Sequence, residues 1–155
     1  MSKEIERKFL VKDNSYVKMA ISSHPVKQAY LSKVPAPTVR IRVSGDRAWI
    51  TVKGLNHGIE RDEWEYAIPV RDAEEMARNL VDGWAIDKIR YIVEWDGRKW
   101  EVDEFKGRLE GLVVAEIELD SLDENPALPP FIGHEVTGDA RYYNSSLADA
   151  VSVPV

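Results

Sequence analysis

Glu4, Glu6 and Lys8 alternate along Glu4-Ile5-Glu6-Arg7-Lys8-Phe9-Leu10-Val11. In a β-strand, alternate residues project from one face, so two carboxylates and an ammonium would stand in a single row. The pattern recurs along the chain as Arg40/Arg42, Thr51/Lys53, Arg61/Glu63/Glu65, Lys88/Arg90, Glu101/Asp103 and Glu116/Glu118, with Ile41, Val52, Trp64, Ile89, Val102 and Ile117 on the opposite face. Several rows carry one sign only. Like charges two residues apart repel unless something of opposite sign lies between them, so basic rows want a polyanion and acidic rows want divalent cations. A metal-bound polyphosphate meets both needs. Carboxylate oxygens are hard ligands suited to Mg²⁺ or Mn²⁺, and Arg and Lys neutralise the remaining phosphate charge.

The elements that must hold these rows are mostly strands. After the first strand, Asp13-Asn14-Ser15 reads as a turn or helix cap, with a short helix before Ser23. Val26 to Ser32 reads as a strand, Pro35 and Pro37 break the chain, and Thr38 to Val43 alternates strictly. Ser44-Gly45-Asp46 turns it into Ala48 to Lys53, and a loop with Gly54 and Gly58 leads to the alternating Glu60 to Ile68. Arg71 to Asp82 is helical in pattern: Ala73, Met76, Ala77, Leu80 and Val81 share a stripe, Asp72 is placed to cap with Glu75, and Gly83 ends it. Strands at Ala85 to Trp95 and Arg98 to Phe105 flank an Asp96-Gly97 hairpin turn, and Leu112 to Leu119 is the last long strand. A loop with Pro126, Pro129 and Pro130 follows, then a short helix from Asn144 to Asp149 with Asn144 at its cap. About eight strands joined by hairpins, with a few flanking helices, predict a mainly β, α+β fold built on an antiparallel barrel or a strongly curved sheet.

Two arrangements fit such a barrel. The apolar rows could fill its core while the charged rows face water, or the charged rows could line a wet tunnel whose apolar outside is covered by helices and a second subunit. The one-sign rows favour the tunnel, because solvated strand faces tend to mix signs across from one another. His24, His57 and His134 fall outside the rows.

Bulk composition narrows the class. A chain of 155 residues, 44% hydrophobic, is read as one domain spanning residues 1–155. It has no Cys, which removes thiolate metal sites and Cys nucleophiles and agrees with a cytoplasmic setting. Its net charge of -6 argues against non-specific nucleic-acid binding, and no apolar run approaches the roughly 18 residues of a membrane span. The uncovered apolar rows lead to the expectation of a homodimer.

Taken in order, the motifs resemble those of the CYTH superfamily, the triphosphate tunnel metalloenzymes. Beyond Glu4-x-Glu6-x-Lys8 and the rows above, the similarity extends to Val136-Thr137-Gly138-Asp139-Ala140-Arg141-Tyr142-Tyr143-Asn144, so it covers nearly the whole chain. The resemblance implies an eight-stranded antiparallel β-barrel, a triphosphate tunnel, and metal-dependent hydrolysis of triphosphates, inorganic tripolyphosphate above all and nucleoside triphosphates as well. Glu4, Glu6, Glu116 and Glu118 would hold two Mg²⁺ or Mn²⁺ ions, with Glu63, Glu101 and Asp103 as further candidates. Lys8, Arg40, Arg42, Lys53, Lys88, Arg90 and Arg141 would grip the phosphates, with Tyr30 and Tyr142 beside them. Of these, Glu4, Glu6, Lys8, Arg40 and Lys88 would bear most directly on catalysis, and Asn144 to Val151 would plug one tunnel end. Relatives of the same superfamily include class IV adenylyl cyclases and thiamine triphosphatases, and a non-catalytic polyphosphate or nucleotide binder would use nearly the same residues. With no Ser, Cys or His nucleophile in the rows, direct attack by water is expected for a hydrolase.

Overall fold

The alternating segments all become strands. The computed structural model describes residues 2–33, 37–55, 57 and 59–154, so Pro35 and Gly58, placed above in breaks between strands, lie outside the described residues. The strands are β1 (Ser2–Val11), β2 (Ser22–Ser32), β3 (Thr38–Ser44), β4 (Arg47–Lys53), β5 (Glu60–Ile68), β6 (Ile86–Trp95), β7 (Arg98–Phe105), β8 (Val113–Glu118) and β9 (Ile132–Glu135). The helices are α1 (Tyr16–Met19), α2 (Val70–Leu80) and α3 (Asn144–Leu147). The strands form one sheet in the order β5-β4-β3-β2-β6-β7-β8-β1-β9, antiparallel throughout, and β5 pairs back onto β1. That last pairing closes an eight-stranded barrel, with β9 added outside the ring.

β1 is the seam. On one side it pairs with β8 over Glu6 to Leu10; on the other its first half meets β5 and its last residues meet β9. Between them, Lys8 keeps its backbone satisfied: its carbonyl accepts from Val136 N–H at 2.8 Å and its N–H donates to Thr137 Oγ1 at 2.9 Å. The edge opposite β8 is therefore covered along most of its length, which leaves little for another strand to pair with.

Local chemistry explains the turns. Asp96 and Gly97 both have positive φ, 52° and 73°, the backbone that a two-residue type I′ hairpin needs. β2 starts at Ser22 rather than Val26 and runs through Pro25. Its pairing with β3 begins only at Lys27, and the Pro25 carbonyl on that side accepts from Ser44 Oγ at 2.9 Å. The proline therefore sits where no ladder bond is lost. α2 begins one residue earlier than its apolar stripe suggests, because the Pro69 carbonyl accepts from the N–H groups of Asp72 and Ala73; Asp72 is inside the helix and no side chain caps it. Leu80, at its last residue, is exposed rather than in the stripe. α3 likewise takes Tyr143, not Asn144, as its N-cap.

The apolar side of each strand points out of the barrel. Phe9, Trp100, Val102, Ala115 and Ile117 pack beneath Tyr16 of α1 and beneath Leu119, Phe131 and Ile132 of the segment after β8. Ala29 and Ile41 pack beneath Ala77 of α2. Three intramolecular covers thus bury most of the outer rows. At one end of the barrel Tyr30, Ile86, Phe105 and Val114 turn inward against Tyr142, Leu147 and Ala148, so the C-terminal segment stoppers that end. Arg108 clamps the stopper, donating to the carbonyls of Ala150 at 2.6 Å, Ala148 at 2.6 Å and Ala85 at 3.0 Å. Among the described residues no helix is long and apolar enough to cross a membrane.

Because Ile117 is 1% exposed in the outer core, Ile117→Ala is expected to destabilise the fold by about 2–5 kcal/mol, through lost apolar burial and the cavity left behind. Urea denaturation measures this directly, and a loss well under 1 kcal/mol would mean that the outer face is not the stabilising core.

Candidate active site

The charged rows converge inside the ring. Lys53 on β4 reaches Glu4 on β1, at 2.9 Å and 3.0 Å to its two oxygens, although β5 lies between those strands. Only side chains pointing into a closed, concave surface can meet in this way. The same ammonium lies 3.4 Å from Glu63. Lys8 on β1 sits 3.3 Å from Glu116 on β8 and donates to the Tyr142 carbonyl at 3.0 Å, which ties the first row to the stopper. Arg40 and Arg42 each lie 3.8 Å from Glu65. On the opposite wall Arg90 forks onto Asp103 at 2.7 Å and 2.8 Å and reaches Glu101 at 3.1 Å, while Lys88 lies 2.7 Å from Asp103. An ordinary barrel keeps its apolar residues inside; here the order is reversed.

Burial makes these pairs electrostatically tense. For Lys8, burial disfavours the charged form, but Glu116 and Glu6 outweigh it and the pKa rises. Burial likewise opposes ionisation of Glu4, yet Lys53 brings it down to about 2. Asp103 is also buried and is driven down by Arg90 and Lys88. Glu6 has no such help. Burial, then Glu116 and Glu4, push it up to about 8, and among the described residues it forms no ion pair or hydrogen bond of its own. Its cross-strand partner in register is Glu118, raised by burial and by Glu4 and Glu101. Lys88, 0% exposed, is lowered to about 8 by burial, which the attraction of Asp103 only partly offsets.

A pocket opens between this wall and the C-terminal segment. It is lined by Glu4, Glu6, Lys8, Tyr30, Arg40 and Lys53 together with Thr38, Thr51, Arg61, Thr137, Tyr143 and Asn144. Glu4, Glu6, Lys8, Tyr30, Arg40 and Lys53 thus share this pocket, while Arg42, Glu63, Lys88, Arg90, Glu101, Asp103, Glu116 and Glu118 lie on the inner rows outside its lining. Arg141 stands apart, largely exposed and forked onto Asp139 at 2.7 Å to 3.3 Å. Thr38, Thr51 and Arg61 line the pocket and Glu65 lies beside Arg40 and Arg42, although none of the four was assigned a role from the sequence; their place in the alternating rows was the available signal. His24, read as lying outside the rows, continues the inner row of β2 opposite Arg90, and burial followed by Arg90 lowers its pKa. Trp49 likewise faces inward with the Arg42 guanidinium 4.5 Å from its ring centroid.

The sequence profile of the CYTH domain matches residues 2–149. The chain belongs to the CYTH family. Among its relatives, an inorganic triphosphatase of Acetivibrio thermocellus is 47% identical over 149 residues, covering 95% of this chain and 94% of the relative. An inorganic triphosphatase of Nitrosomonas europaea is 36% identical over 97% of this chain and 99% of the relative. A crystal structure of an inorganic triphosphatase superposes on this CYTH barrel with a TM-score of 0.65 at 33% identity, covering 96% of this chain and 99% of the other.

The donor set of this CYTH barrel suits a hard divalent cation. Among the described residues no three acidic or imidazole groups form a ready-made cage, because Glu4, Glu116 and Asp103 are turned onto the barrel's own cations. Glu6 and Glu118 are carboxylates crowded by other carboxylates, which is the environment a divalent ion relieves. The sign of the pH effect follows. Glu6 in the folded protein keeps a proton that the unfolded chain releases above its ordinary value of 4.5, so stability falls as pH rises from about 4.5 to about 8. Glu63, raised to about 7 by burial and by Glu4, acts in the same direction. In metal-free buffer, the Tm difference between Glu6→Gln and wild type is expected to grow in favour of the variant across that window. Thermal melts at several pH values check this, and a constant difference would contradict it.

Proposed function

We propose that this protein hydrolyses triphosphates in its barrel, with inorganic tripolyphosphate as the foremost substrate and orthophosphate and pyrophosphate as products. One observation carries the reading: carboxylates and cations, the two kinds of group that a metal-bound triphosphate calls for, meet inside the barrel and are paired with each other. The two triphosphatase relatives, each similar over nearly the full chain, support the same activity. Nucleoside triphosphates fit the same charge pattern and are proposed as secondary substrates.

Lys8, Arg40, Arg42 and Lys53 on one wall, with Lys88 and Arg90 on the other, bind and orient the polyphosphate chain and balance the charge that builds on the transferring and leaving groups. Tyr30 borders the same space, while Arg141 acts from outside it. With phosphates on these cations, Glu4 and Glu116 would be free of Lys53 and Lys8 and, with Glu6 and Glu118, would hold divalent metal, Mg²⁺ or Mn²⁺. Glu63 and Glu101 would be secondary donors. Asp103 is held by Arg90 and Lys88, and its work is to keep those two cations in place. When bound, the metal supplies charge neutralisation and an activated water. The stopper covers one end of the lumen, and the reduced access of water there strengthens the interactions nearest it.

Purified protein with tripolyphosphate and Mg²⁺ or Mn²⁺ is expected to release orthophosphate, while cyclic AMP and pyrophosphate from ATP would indicate a cyclase instead. Glu4→Gln and Glu118→Gln are each expected to lower turnover by at least about 100-fold with the barrel still folded by circular dichroism. Near-normal rates in both variants would remove these carboxylates from the site.

A further inference from the structure

Gln28 lies in the middle of β2 with 0% of its surface exposed, and among the described residues neither its Oε1 nor its Nε2 has a hydrogen-bond partner. Leaving both atoms of a buried carboxamide unpaired costs stability that a leucine of similar size would not lose. Its surroundings indicate what the amide is for. Gln28 shares the inner row of β2 with Tyr30, faces Arg42 in register on β3, and lies diagonally from Lys88, which pairs with neighbouring Val26. Arg40 and Arg42 each have a buried Nε without an acceptor. The Lys88 ammonium lies 2.7 Å from Asp103 and has no further acceptor among the described residues. This part of the lumen therefore holds several buried donors without an acceptor, and beside them Gln28 Oε1 is a buried acceptor without a donor among the described residues. A group rich in acceptors and negative in charge is the complement of such a set.

We infer that Gln28 is a positioning residue for substrate: its Nε2 donates to a non-bridging oxygen of a phosphoryl group seated between Arg42 and Lys88, while its Oε1 accepts from one of those two cations. The inference rests on the triphosphate reading of the barrel and assigns one phosphoryl group of the chain to the β2, β3 and β6 wall. A neutral amide suits this place. It donates to phosphate without drawing Arg42 or Lys88 into an ion pair that the substrate would then have to break. A carboxylate in its position would do the opposite, occupying the cations and repelling the phosphate.

Wild type, Gln28→Leu and Gln28→Glu are compared in two measurements: hydrolysis of tripolyphosphate with Mg²⁺, and the rise in Tm on adding tripolyphosphate with Mg²⁺, which needs no turnover. In Gln28→Leu the unliganded Tm is expected to equal or exceed that of wild type, while KM rises about 10- to 100-fold, kcat changes less, and the ligand-induced rise in Tm shrinks. In Gln28→Glu the unliganded Tm should increase through pairing with Arg42 and Lys88, and the ligand-induced rise should vanish. Wild-type KM and wild-type ligand-induced shifts in both variants would overturn the inference. So would a fall in the unliganded Tm of Gln28→Leu that accounts for its lost activity, since the amide would then be holding the barrel together. A wild-type protein stabilised by tripolyphosphate without hydrolysing it would end the hydrolase reading and leave Gln28 to be judged from the shifts. No stabilisation and no hydrolysis would end both.

Discussion

Charge balance inside a closed barrel is the constraint on which the rest of this structure depends. An ammonium or carboxylate taken from water into a protein interior loses solvation worth several kcal/mol, and it is tolerated when an opposite charge and hydrogen bonds replace the water. The lumen meets that condition pair by pair: Lys53 with Glu4, Lys8 with Glu116, and Arg90 and Lys88 with Asp103. These pairs hold the inner surface in place without substrate. Under the proposed function they also make the site exchangeable, because each cation is matched by a group that a phosphate would replace and each carboxylate by a group that a metal would replace.

Reversing the usual barrel moves the hydrophobic effect to the outside. With the lumen polar, stability must come from the outward rows, and these are useful only if something covers them. α1, the segment after β8 and α2 do so over separate patches, and the C-terminal segment buries the inward aromatic residues at one end. The division of labour is clear in β7, where Trp100 and Val102 point out into apolar contacts while Glu101 and Asp103 point in to Arg90. Function and stability occupy opposite faces of the same strand.

The balance is incomplete at several places facing the lumen, Glu6 and Gln28 among them. Glu6 is crowded by Glu116 and Glu4 and pushed toward its protonated form, and Gln28 has no partner for either end of its amide among the described residues. A protein under selection for stability alone would remove such groups, and persistent local penalties of this kind tend to accompany binding and catalysis. Their positions differ in chemistry: carboxylate crowding near Glu118 suits a cation, and spare donors near Arg42 suit an anion.

The strand period of two by itself determined much of this protein. Alternation in β1, β3 and β4 and the Asp96-Gly97 turn identified the strands and assigned Glu4, Arg40, Lys53, Lys88 and Glu116 to common rows, because side-chain direction in an extended chain is a local property. One-sign rows such as Lys88/Arg90 and Glu116/Glu118 pointed to a ligand, since neighbouring like charges need compensation from somewhere. Short elements were harder to read. The four residues of β9 carry too little pattern to stand out from a proline-containing segment, and Pro25 in β2 is acceptable only because β3 ends beside it. Ring closure, the contact of Lys53 with Glu4 across an intervening strand, and the place of His24 in the inner row were decided by tertiary structure alone. Each depends on which strands become neighbours and how the sheet curves, and those are set by packing over the whole chain rather than by any local stretch of it.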